Sequence, residues 1–143
     1  MTVRPLEVRE GDDVPSLARV VTREDVRSYA ELSGDRNPLH LDDDVARAAG
    51  FSGIIAHGMF TMAHLGACLA NWTGDPARIE RLSAQFRAPV FIGEEIVAGG
   101  RVRVVDDAAN TATIELWVTV ERAGATEFPI RKGEALVRLG DYN

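Results

Sequence analysis

The sequence contains a single cysteine, Cys68, and a single lysine, Lys132, among 143 residues. A lone cysteine forms no internal disulfide, which removes the secreted disulfide scaffold and makes a reducing cytoplasm the expected setting. No apolar run approaches the roughly 20 residues that a bilayer-spanning helix needs. The stretch from Met1 to Pro15 is mixed and charged and lacks the apolar core of a signal peptide. Neither membrane insertion nor export is expected. Internal repeats, linkers and low-complexity tracts are missing as well. The scarcity of lysine beside abundant alanine looks like the codon bias of a GC-rich genome and carries no mechanism.

Charge of one sign is also not in large excess: 16 Lys+Arg against 22 Asp+Glu leave a formal charge of −6. That balance argues against a nucleic-acid or anionic-membrane binder and selects no partner. Arg78, Arg81 and Arg87 are the local basic residues that could meet a ligand phosphate, although a solvated strand face explains them as well. Several chemistries lack their signatures. There is no G-x-S-x-G, no G-x-x-x-x-G-K-[ST], no C-x-x-C and no H-E-x-x-H. Gly93, Gly99 and Gly100 make no dinucleotide fingerprint. His40, His57 and His64 have no ligand partners at metal-site spacing, so no metal is expected.

What is present suits one globular domain over residues 1–143, with 45% hydrophobic and 27% charged residues. At this length about two thirds of the unfolded surface can be buried without a disulfide or a structural metal. Leu17 to Val21 suits a short strand, and Thr22 with Asp25 forms a capping-box pattern that starts a helix. Val26, Tyr29, Ala30 and Leu32 give that helix an apolar stripe, and Gly34 ends it. The segment from Gly34 to His40 is a tight non-helical loop, followed by a short helix capped by Asp42 and closed by Gly50. From Gly58 onward Met59, Phe60, Met62, Ala63, Leu65, Ala67, Cys68, Leu69 and Ala70 make a helix apolar nearly all round. It should be buried on every side, wrapped by a sheet.

Beyond Ile79 the period changes to alternation, clearest at Ile114, Leu116, Val118 and Val120. Turn chemistry at Asp106 to Asn110 and Ala123 to Thr126, with a last strand near Glu134 to Leu139, gives a meander of about four strands. The expected fold is therefore α+β, a curved antiparallel sheet around one long central helix.

Acid–base chemistry is the class left open. Asp35 and His40 are five residues apart in a loop stiffened by Pro38, so a carboxylate and an imidazole can converge on one water molecule. Residues of these types in such a loop also commonly bond only their own backbone. Gly58 precedes the apolar helix, where its N–H would lie at the positive end of the helix dipole and could hold a developing oxyanion. Alone, it reads better as a glycine that merely starts a helix. His57 is either a ligand contact or a local support of the turn, and His64 and Cys68 are four apart and suit core packing.

The run Ser33-Gly34-Asp35-Arg36-Asn37-Pro38-Leu39-His40-Leu41-Asp42, then Ala49-Gly50-Phe51 and Ile55-Ala56-His57-Gly58-Met59, resembles the hydratase signature of the MaoC-like family. That family comprises (R)-specific enoyl-CoA hydratases and (3R)-hydroxyacyl-acyl-carrier-protein dehydratases. The segment Phe86 to Glu95 resembles the strand that follows its central helix. The resemblance implies the hot-dog fold and reversible hydration of a trans-2-enoyl thioester, carried by CoA or acyl carrier protein, to the (R)-3-hydroxyacyl thioester. It assigns Asp35 and His40 as the catalytic pair, Asn37 as a site-shaping residue and Gly58 as the oxyanion-hole amide. His57 and Met59 become candidate substrate contacts.

No cofactor and no metal are implied. The partners implied are the acyl thioester and a second hot-dog subunit, in a homodimer or a heterodimer with a homologue. One departure is Ala63, where some short-chain members carry a serine in the central helix. Two other readings compete with the hydratase: a partner subunit that binds acyl thioesters without activity of its own, and a hot-dog thioesterase.

Overall fold

The computed structural model of the protein describes residues 5–141, so residues 1–4 and 142–143 of the expected domain span lie outside the described residues. The first strand, Asp13–Val20 (β1), leads into the helix Arg23–Ser33 (α1). Its start is the predicted capping box: the Thr22 hydroxyl accepts the Asp25 N–H at 3.1 Å, and the Asp25 carboxylate accepts the Thr22 N–H at 3.0 Å. Arg19 reaches Asp25 at 2.7 Å, and this bond is the main cause holding the Asp25 carboxyl below its ordinary range.

Val26 and Ala30 form the buried face of α1, but Leu32 is 87% exposed and is not part of it. Leu32 lies two residues past Ala30, about 200° around the helix and so on its outer side. Gly34 closes α1 at φ 78°, the left-handed region that glycine enters without steric cost. A 3-10 turn at Pro38–His40 and the helix Asp43–Ala48 (α2), capped by Asp42, follow.

The long helix is Gly58–Thr73 (α3), and the remaining strands are Ile79–Phe86 (β2), Glu95–Asp106 (β3), Thr111–Arg122 (β4) and Ala125–Arg138 (β5). They form one antiparallel sheet in the order β1-β3-β4-β5-β2. The hot-dog arrangement of a sheet curved around a long helix is therefore present. The alternation in β4 buries Ile114, Leu116, Val118 and Val120 in one cluster with Leu65, Cys68 and Leu69 of α3.

Two expectations for the sheet need correction. β3, β4 and β5 do form a meander, but β2 pairs with the far side of β5, so the four strands after α3 are not consecutive neighbours. Phe86 to Glu95 is also not a strand. Phe86 ends β2 and Glu95 begins β3, while between them Pro89, which has no N–H to donate, and Gly93, at φ 89°, interrupt regular pairing. This irregular segment carries the chain from one side of the sheet to the other.

The helix is likewise not wrapped on every side. A single sheet meets α3 along one face, and Met59, at 54% exposure, with Ala63 and Ala67 lies on the open side. On the covered side, His64 and Cys68 do more than pack. The sheet register shifts between Val14 and Leu17, and at this irregularity the His64 Nε2–H donates to the Leu17 carbonyl at 2.8 Å while the Cys68 thiol reaches the Pro15 carbonyl at 3.4 Å. Backbone acceptors beside the shift are thus satisfied by the helix.

Arg78 is not a surface ligand contact. It is 1% exposed, and its Nη1 donates to the carbonyls of Arg138, Leu139 and Gly140 at 3.0, 3.2 and 3.3 Å. Arg81 faces Glu134 at 3.5 Å, and exposed Arg87 bonds the Gln85 side chain. Among the described residues no helix is long and apolar enough to cross a membrane.

Burial holds the His64 imidazole below its ordinary value of 6.5, with the Leu17 carbonyl opposing that shift. An unfolded chain takes up a proton at this residue as the pH falls through its ordinary value, and the folded chain resists. The His64 contribution to stability is therefore fully present above that value and is lost on acidification below it. Urea titrations of His64→Gln should show a flatter dependence of stability on pH between about 7 and 5 than the wild type. An equal slope would exclude this histidine as the source.

Candidate active site

Three side chains in succession shape the loop after α1. The Ser33 hydroxyl accepts the Asp35 N–H at 3.1 Å, Asp35 Oδ1 accepts the Asn37 N–H at 3.2 Å, and Asn37 Oδ1 accepts the Leu39 N–H at 3.1 Å. These are the local turns that short polar side chains favour. One carboxylate oxygen of Asp35 is thereby fixed on the backbone, and the other, Oδ2, faces His40 Nε2 at 4.0 Å.

His40 is oriented from its opposite edge. Its Nδ1 lies 2.7 Å from the Ile55 carbonyl, which can only accept, so Nδ1 carries a proton. In the neutral ring Nε2 is then the bare nitrogen, on the side of Asp35. The Ile55 N–H returns a bond to the Leu39 carbonyl at 3.2 Å, joining the two irregular stretches.

The stretch around Ile55 is held in turn by the β2–β3 segment. The Ala56 N–H donates to the Val90 carbonyl at 2.8 Å, and Ile55 pairs with Phe91 in an isolated bridge. Arg122 of β4 anchors that segment through bonds to Glu94 at 2.9 and 2.7 Å and to the Pro89 carbonyl at 2.9 Å. Glu94 also accepts the Phe91 N–H at 2.8 Å, and the Arg122 guanidinium lies 4.8 Å from the Phe91 ring centre.

Gly58 is the first residue of α3, and His57 before it supplies no side-chain cap. The uncapped amides at this end carry the positive pole of the helix. A Cβ at position 58 would touch the Phe86 ring at 3.4 Å. Two cavities meet here. One, of about 340 Å³, is lined by residues that include His40, Ile55, Thr61, Pro89 and Val90; the other, of about 330 Å³, includes Tyr29, Ser33, Asp35, His57 and Met59. Gly58 and Phe86 border both, so the cavity that includes Asp35 and the one that includes His40 adjoin at these two residues. A larger cavity of about 760 Å³, between the segment at Pro5 to Arg9 and the end of the sheet, includes none of these residues.

Sequence reasoning missed Thr61. It is buried, one turn into α3 from Gly58, and lines the His40 cavity, whereas Ala63 is exposed and lines neither. The three-residue spacing from Gly58 was the available signal. His57 is only 2% exposed. Asp35, His40 and His57 each offer one ligand atom, all within 4.8 Å of one another. Each ring has one nitrogen engaged by a backbone carbonyl, and the rings lie nearly face to face, so their lone pairs do not converge on one point. The set suits proton transfer better than a cation.

Residues 8–125 match the family described as MaoC like domain. The chain belongs to the MaoC-like family. It is 36% identical over 134 residues to an (R)-specific enoyl-CoA hydratase of Rhodospirillum rubrum, covering 93% of this chain and 89% of that one. It is 39% identical over 85 residues to a mitochondrial 3-hydroxyacyl-[acyl-carrier-protein] dehydratase of Arabidopsis thaliana, covering 59% of this chain and 51% of that relative. Among solved structures, the (R)-hydratase of Aeromonas caviae involved in PHA biosynthesis superposes with a TM-score of 0.81 at 28% identity, covering 92% of this chain and 97% of that one.

Replacing Arg122 by leucine leaves Glu94 without its cation and frees the Pro89 carbonyl. The expected cost is about 1–3 kcal/mol, moderated by partial exposure of the pair. In hydrogen exchange the Ala56 and Phe91 amides should lose protection more than those in the middle of β4. Uniform loss across the sheet would show that Arg122 does not act through this segment.

Proposed function

We propose that this chain reversibly adds water across the double bond of a trans-2-enoyl thioester to give the (R)-3-hydroxyacyl thioester. The observation that carries this reading is the Asp35 Oδ2 to His40 Nε2 separation of 4.0 Å beside Gly58. The gap is too wide for a direct hydrogen bond, yet both atoms can reach one water oxygen between them at ordinary hydrogen-bond lengths of about 2.8 Å.

In the hydration direction the water oxygen attacks C3 and gives up a proton to the dyad, and the dyad returns a proton to C2. The thioester oxygen carries the developing enolate charge, for which the Gly58 N–H is the proposed donor. Asn37 acts through the loop that sets the Asp35 carboxylate, and Met59 is a proposed substrate contact from the cavity that includes Asp35. The net reaction is atom-balanced with water alone, so the reading calls for no cofactor and no metal. A second hot-dog subunit, identical or homologous, is proposed to cover the open face of α3 at Met59, Ala63 and Ala67, which a single chain leaves exposed. CoA and acyl carrier protein both remain in the proposed substrate class.

Mixed with crotonyl-CoA and with longer enoyl thioesters, the protein should remove the enoyl-thioester absorbance without releasing free thiol. Thiol release would mean a thioesterase, and inertness towards every length and carrier would mean a binding subunit. Asp35→Asn and His40→Ala should each lower turnover by about 100-fold or more while the fold persists; near-normal activity in either variant would remove that residue from the dyad. For the proposed association, Ala67→Glu should shift the sedimentation profile toward monomer. An unchanged profile would place the interface elsewhere.

A further inference from the structure

His57 is the one imidazole near the dyad whose position is tied to both of its members. Its Nε2–H donates to the Asp35 backbone carbonyl at 2.9 Å, across 22 positions of sequence. Its ring lies against the His40 ring with centroids 3.7 Å apart and planes 23° from parallel. Tyr29 leans against it at 4.9 Å. The Nδ1 atom is buried and has no hydrogen-bond partner. A polar atom left unpaired in this way costs free energy that a phenylalanine of similar shape would avoid. Packing alone therefore does not account for an imidazole here.

We infer that His57 is a positioning residue that sets the separation between the Asp35 carboxylate and the His40 ring. The inference rests on the hydratase reading and deepens it. The bond to the Asp35 carbonyl fixes the backbone from which the carboxylate projects. The stacked face fixes the tilt of the His40 ring about its own bond to the Ile55 carbonyl, a freedom that one hydrogen bond leaves open. Both constraints act on the same 4.0 Å gap. His57 is also the residue before Gly58, so the element that sets the dyad also sets where α3 and its free amides begin. At 2% exposure the ring offers little surface to a substrate, which separates this role from a direct substrate contact.

Three variants divide the two functions. His57→Phe keeps a stacking plate and removes the donor, His57→Gln keeps a donor and removes the plate, and His57→Ala removes both. Misplacement of catalytic groups on this scale lowers turnover by about 10- to 100-fold. The alanine variant should show that loss in kcat with KM nearly unchanged, and the other two should recover part of it. In the Asp35→Asn background, where the carboxylate no longer contributes, His57→Ala should add much less than it costs alone. A purely structural role would instead add in full, and a substrate contact would raise KM with kcat preserved; either result overturns the inference.

The imidazole nitrogen NMR spectrum provides a readout that does not depend on activity. The wild type should show His40 as the Nδ1–H tautomer and His57 as the Nε2–H tautomer, and in His57→Ala the His40 ring resonances should broaden as its tilt is freed, while the Ile55 carbonyl keeps the Nδ1–H tautomer. If the wild type hydrates no thioester but His40 responds in this way, the hydratase reading fails and the positioning role stands. If His40 is indifferent to His57, the positioning role fails.

Discussion

The bond from His40 Nδ1–H to the Ile55 carbonyl is the constraint on which the arrangement of the site depends. It assigns the ring proton, and in the neutral ring it leaves Nε2 bare on the edge facing Asp35. A histidine in a mobile turn would share its proton between the two nitrogens and present the wrong one part of the time. The carbonyl works only because Ile55 is itself held, by Leu39 on one side and by the bridge to Phe91 on the other. The order of dependence therefore runs from the Arg122–Glu94 pair in the sheet, through an irregular segment, to the tautomer of one side chain.

Much of this was legible in the residues, because it is local. The capping box at Thr22 and Asp25, the left-handed Gly34 and the alternation in β4 each need only a few consecutive positions. The turn from Gly34 to His40 was legible for the same reason, since its side chains bond backbone two residues away. What the sequence concealed is non-local. Nothing around Ile79 says that β2 pairs with β5 instead of β3, and nothing around Arg78 says that its charge is used on carbonyls some 60 residues further along.

Leu32 and the open side of α3 are errors of a different kind. In both cases apolar character was taken for burial, although one sheet can cover only one side of a helix. Thr61 was overlooked because a threonine in an apolar run reads as filler, while its spacing from Gly58 is what brings it to the cavity. His57 shows the opposite limit. Its residue type drew attention, but its bond to the Asp35 carbonyl and its stacking on the His40 ring are visible only in the geometry.

The crossing of the β2–β3 segment has a consequence for how the molecule comes into being. Ala56 can be held by Val90 only after that segment lies in place, and its anchor, Arg122, is in the next strand but one. The Arg87 N–H further requires the Pro129 carbonyl of β5. Contacts so distant in sequence are the slow ones to form. The arrangement of Asp35 and His40, although both lie early in the chain, thus rests on contacts made by residues much later in it. A nascent chain that has made α1, the turn and α3 holds Asp35, His40 and Gly58 without their arrangement, which is complete only when the last strand closes the sheet.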